Sequence, residues 1–139
     1  MTSKDLCGRT AAFAEAVVNL TDPLIDRLAS REFALQLRSA AASVAGNYEA
    51  AQRAKSHRDF TSKLTTVLEE SAESLFWLKF LLRCRMLTDQ LAAPLIREAD
   101  ELVRIFQTAV RTARERDRAD ERPRRPNRRG SVDGEDPWR

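Results

Sequence analysis

A chain of 139 residues is long enough to bury a core without disulfides or metal, and it is one domain's worth of sequence. Four Gly and five Pro, three of the Pro beyond Glu121, leave Ala, Leu, Arg and Glu to dominate the first 120 residues, so the composition points to an all-α fold. The net charge of +3 does not describe a basic domain: Met1 to Val110 holds 14 Lys plus Arg against 14 Asp plus Glu, and residues 111–129 hold nine Arg against four acids.

The first helical pattern runs from about Lys4 to Leu20, with Leu6, Phe13, Val17 and Leu20 on one stripe. Thr21-Asp22-Pro23 is expected to end it in a bend, because Asp22 can cap and Pro23 suits the first position of a new turn. Leu24 to Leu28 is then a short helix or the start of the next long one. The second pattern begins near Ser30 as N-cap and turns Phe33, Leu37, Ala40, Val44, Tyr48 and Ala51 inward. Its small residues, Ser39 to Gly46, let a neighbouring helix come close.

A polar joint from Ala54 to Phe60 separates this pattern from the third. Ser56 can accept the Asp59 backbone N–H, and the Asp59 carboxylate can reach back towards Ser56, so one helix stops and the next starts at once. The third pattern, about His57 to Met86, places Phe60, Leu64, Val67, Ser71, Leu75, Leu78 and Leu82 on one stripe. Phe76, Trp77, Phe80 and Leu81 add apolar surface on a second side, which is either extra core or an interface between subunits of an oligomer. The fourth pattern follows Thr88 as N-cap, with Leu91, Leu95, Ala99, Leu102, Phe106 and Ala109 inward. Beyond Arg116 the stripe ends. Residues 1–116 are thus expected to form an antiparallel up-down-up-down four-helix bundle, and 117–139 a disordered Arg/Pro-rich tail.

Signs of enzyme chemistry are absent from the pattern. His57 is the one histidine, with no Cys close in sequence to form a dyad, so no catalytic residue is assigned. Cys7 and Cys84 lack metal-ligand spacing and read as packing residues in a reducing compartment. Glu69 and Glu73 share a helix face, but the Glu-x-x-His pairs of a di-iron site are missing, so interhelical salt bridges to Arg38 or Arg53 are expected and no metal or other cofactor. Asn47 and Glu49 are expected to make a polar bond across the bundle rather than to contact a ligand. With no apolar run long enough for a membrane or an export signal, the expected place is the cytoplasm.

Two stretches could meet nucleic acid. Around the joint, Arg53, Lys55, His57, Arg58 and Lys63 face only Asp59, and phosphate contacts need clustered cations of this kind. The tail arginines are the second, diluted by the acids from Glu115 to Glu121.

Gln36-Leu37, Ser43-Val44, Asn47, Glu49-Ala50, Ser56, Asp59-Phe60, Lys63-Leu64, Glu69, Glu73 and Trp77-Leu78 together resemble the 23S rRNA intervening-sequence proteins and, more distantly, the accessory proteins of diversity-generating retroelements. The likeness covers roughly Phe13 to Ala113. It implies a bacterial four-helix bundle that assembles into a homo-oligomer, a pentamer by analogy with the retroelement relatives. It further implies association with RNA in preference to DNA, or with a protein such as a reverse transcriptase. The resulting expectation is a non-enzymatic scaffold that touches nucleic acid through modest basic patches; the alternative is a scaffold that docks only protein.

Overall fold

A computed structural model describes residues 1–123 as four α-helices: α1 (Ser3–Ile25), α2 (Leu28–Ala51), α3 (His57–Arg83) and α4 (Asp89–Glu121). The part of the expected tail from 124 to 139 lies outside the described residues. Each helix packs on the next and α4 closes back onto α1, while the diagonal helices α2 and α4 meet through side chains in the core, where the Tyr48 and Phe106 rings lie 5.4 Å apart. The bundle is therefore antiparallel, up-down-up-down, with the α1–α4 edge the most open of the four.

Caps explain where the helices begin. Thr2 and Asp5 form a capping box: the Asp5 N–H donates to Thr2 Oγ1 at 3.1 Å and the Thr2 N–H donates to the Asp5 carboxylate at 2.8 Å. Ser56 caps α3 as expected, accepting the Asp59 N–H at 3.0 Å, and Thr88 caps α4 through the Leu91 N–H at 3.3 Å. The Asp59 carboxylate reaches one residue further back than expected, to the Lys55 N–H at 3.1 Å.

Two boundary expectations are corrected. The bend at Pro23 does not occur, and α1 runs through it to Ile25. The proline forfeits one N–H bond, to the Asn19 carbonyl, and Arg38 of α2 ties down the same turn by donating to the Val18 carbonyl at 3.0 Å and to Thr21 Oγ1 at 2.8 Å. Ser30 does not cap α2, whose N-cap is Arg27. Its hydroxyl instead donates to the Leu24 carbonyl at 2.8 Å while Arg31 Nε donates to the Ile25 carbonyl at 2.7 Å, so α2 satisfies the orphan carbonyls at the end of α1.

The core is built where the stripes meet. Val17, Leu37, Val44, Val67, Leu78, Leu102 and Phe106 are fully buried, each worth roughly 1.5–3 kcal/mol of transfer energy against exposure. Ala34, Ala41, Ser71 and Ala99, equally buried, keep the helices close. Buried hydroxyls on Thr21, Ser71 and Ser74 donate to carbonyls of their own helices, and no buried side-chain polar atom among the described residues lacks a partner. Leu91, expected inward, is 59% exposed in the first turn of α4, and Ala92 takes the inward place.

The C-terminal ends of α3 and α4 shape the two ends of the bundle. α3 closes in a Schellman motif, with the Met86 N–H donating to the Leu81 carbonyl at 2.9 Å and the Arg85 N–H to the Leu82 carbonyl at 3.0 Å. Arg85 holds the left-handed position, φ 58°, which a glycine takes without strain. α4 does not stop at Arg116 but continues to Glu121, which moves residues 117–121 from the expected tail into the helix.

Candidate nucleic-acid interface

The joint between α2 and α3 brings its cations together, but it also brings acids to meet them. His57 Nε2 lies 3.1 Å from the Ala113 carbonyl and 3.2 Å from the Asp117 carboxylate; with acceptors on both sides, this nitrogen carries the hydrogen. Arg58 pairs with Glu121, and Lys63 Nζ donates to Asp59 at 2.6 Å. Asp59 in consequence stays ionised below the usual carboxylate range, held first by Lys63 and then by the Lys55 N–H. Only Arg53 and Lys55 keep side chains without an acidic partner among the described residues of the joint.

Asp117 and Glu121 are the residues that sequence reasoning missed at this end, because it places them in the tail. Their signal is present: Ala109 and Ala113 continue the apolar stripe of α4, and Asp117 and Glu121 follow at spacings of four. His57 is thereby a link between α3 and the end of α4.

At the opposite end of the bundle lies the aromatic group of α3. Phe33 of α2 packs on Trp77 with ring centroids 6.0 Å apart and on Phe80 at 5.1 Å, so these two rings are partly used within the chain. Phe76 stacks on Phe80 at 5.9 Å and meets Trp77 edge-on at 5.0 Å, yet is itself 55% exposed. Leu81, expected in the same surface, has no exposed area and belongs to the core. The expected interface therefore narrows to Phe76 with the accessible edges of Trp77 and Phe80.

Two cations stand beside this exposed ring, and Glu73, one turn before it, accepts from Trp77 Nε1 at 3.4 Å. Phe76, Lys79, Phe80 and Arg83 line a cleft of about 180 Å³. Neither Lys79, Arg83 nor Arg85 has an acidic partner among the described residues, and no acid lies in sequence between Glu73 and Asp89. Here the charge that the joint neutralises is left free.

Other expected polar contacts fall elsewhere. Arg38 pairs with Asp22 and donates to Thr21 Oγ1 at 2.8 Å, which ties α2 to α1 instead of answering Glu69 and Glu73. The acidic row is left to repel itself, and Glu70 is pushed up first by burial and then by Glu73 and Glu69. Asn47 donates to the Ser43 carbonyl of its own helix at 2.9 Å, not across the bundle. Cys7 is half-buried, its thiol pushed up by burial and by the nearby Glu49, whereas Cys84 is exposed and is no packing residue. Among the described residues no three side chains gather as metal ligands, and no helix is long and apolar enough to cross a membrane. Two hollows beside α1, one of about 420 Å³ against Leu91 and Leu95 of α4 and one of about 450 Å³ over Ala14 and Val18, are lined mainly by apolar and small residues.

With this bundle, its short turns and its capped α3 described, the comparison with known proteins decides the relationship: the family model of the 23S rRNA-intervening sequence proteins matches residues 4–108. The chain belongs to that family. Among solved structures it is similar to a protein of unknown function from the S23 ribosomal protein family of Bacteroides thetaiotaomicron, with a TM-score of 0.74 and 23% identity over 80% of this chain and 99% of the other. At that identity the likeness is one of fold. No curated protein matches the chain. The family match begins at Lys4 and ends inside α4, so Asp117 and Glu121 lie beyond it.

Proposed function

We propose that this member of the 23S rRNA-intervening sequence family is a non-enzymatic scaffold that associates with nucleic acid, RNA in preference to DNA, and presents its binding surface in several copies as a homo-oligomer. The observation that carries the reading is the cleft at Phe76, where Lys79 and Arg83, neither with an acidic partner among the described residues, stand beside an exposed aromatic ring, with Arg85 following in sequence. Clustered cations meet phosphates without base readout, and repetition in an oligomer lets weak contacts on one polyanion add through effective concentration. The family name and that of the S23 structural relative both refer to the ribosome or its RNA, which favours RNA as the polyanion.

A second reading takes the same face as a protein-docking surface, either for another copy of the chain or for a protein partner. The exposure of Phe76 and the balanced charge of the first 110 residues favour it. Fluorescence anisotropy with labelled single-stranded RNA separates the two. At about 50 mM salt, where screening is weak, the full chain is expected to bind, and the affinity to fall steeply as salt rises. Absence of binding to either RNA or DNA under that condition leaves the protein-docking reading in place.

A further inference from the structure

We infer that Phe76 is a stacking platform for an unpaired base, with Lys79 and Arg83 holding the flanking phosphates, so that the ligand is single-stranded nucleic acid and its site is the α3–α4 end of the bundle. This deepens the nucleic-acid reading and rests on it.

The geometry of the cleft limits the occupant. A volume of about 180 Å³ is below the roughly 300–1,000 Å³ of sites that enclose a drug-sized ligand, so the cleft accepts one flat group and little else. Its apolar walls are the rings of Phe76 and Phe80, inclined 25° to each other, and its polar walls are the Lys79 and Arg83 side chains. An aromatic face for the base with cations for the backbone is the combination by which proteins hold single strands without reading sequence.

Duplexes fit less well. A paired base presents only its edge, and the face of Phe76 has nothing to stack on until a base is free. Among the described residues the joint end does not offer the same combination: His57, Arg58 and Lys63 are engaged by Asp117, Glu121 and Asp59, and none of the exposed large apolar residues comes from the joint. The ring itself is held in place: Phe76 rests on Phe80 and Trp77, and these rest on Phe33. A base would thus meet a preorganised surface, and little side-chain freedom would be lost on binding.

The test uses the full chain, a short oligouridine and an RNA duplex of the same length. Phe76→Ala is expected to weaken oligouridine binding roughly tenfold, leave duplex binding within about twofold, and keep the salt dependence, because the ring and not a charge has been removed. Phe76→Tyr keeps a stacking face and is expected to restore single-strand affinity, which also controls for loss of folding. Arg83→Gln should lower the salt slope by about one for both ligands. If Phe76→Ala folds and binds oligouridine as the parent does, the stacking site is wrong although the nucleic-acid reading survives. If the parent binds neither ligand, that reading itself fails and this inference with it. If Phe76→Ala changes the sedimenting mass and leaves affinity unaltered, the face is a contact between copies of the chain and the inference is overturned.

Discussion

Arg85 shows how one residue can be informative against its local preference. It occupies the left-handed position of the α3 Schellman motif, where a side chain costs about 1–2 kcal/mol that glycine does not incur. It is exposed and comes soon after the free cations Lys79 and Arg83, and a guanidinium kept at a strained position is accounted for if it contributes to binding. Arg85→Gly is expected to stabilise the fold by about 1 kcal/mol in a chemical denaturation experiment and to weaken RNA binding in the same preparation. A variant that gains stability and binds as the parent does removes Arg85 from the interface. None of this is visible in the sequence, because Cys84-Arg85-Met86 carries no glycine to mark the turn and a left-handed arginine has no pattern of its own.

At the scale of elements, the helices are legible where periodicity and caps agree. Ser56 and Thr88 are N-caps in the structure as in the sequence, and the stripes Leu37–Val44–Tyr48 and Leu102–Phe106 are buried. Legibility fails where a residue's role depends on another helix. Ser30 looks like a cap for its own helix but closes the end of α1, and Pro23 looks like a break but sits in a turn that Arg38 of α2 ties down. It fails again at the end of α4, where charged residues without an apolar stripe are held by His57 and Arg58 across the bundle.

The pairing of α4 with the joint makes a prediction of its own. Neutralising both acids, Asp117→Asn with Glu121→Gln, is expected to lower stability by no more than about 1 kcal/mol, because both pairs are partly exposed. The same double variant frees Arg58 and removes two negative charges from the joint, so its affinity for RNA should rise and its salt slope steepen by about one. Thermal melting and a salt titration check the two halves. Unchanged affinity would mean that the joint lies away from bound nucleic acid altogether.

Over the whole molecule, the two ends of the bundle differ in kind. Among the described residues the joint end holds more cations than it leaves free, and the turn end holds fewer but leaves them free, two of them beside an exposed ring. The first cluster is legible in the sequence because its members are adjacent, and Phe76, Trp77 and Phe80 are legible as surplus apolar surface. The relative weight of the two clusters is not, since Asp117 and Glu121, which engage His57 and Arg58, stand about 60 positions away in the chain.

The central claim is therefore one of location. Charge reversal at the turn end, Lys79, Arg83 and Arg85 together to Glu, is to be compared with the same change at the joint, Arg53, Lys55 and Arg58 to Glu, by anisotropy with single-stranded RNA at about 50 mM salt. The turn-end variant is expected to lose binding by a hundredfold or more, on the order of three lost phosphate contacts, while the joint variant loses less than about tenfold. A joint variant that loses binding beside a turn-end variant that retains it would contradict that location.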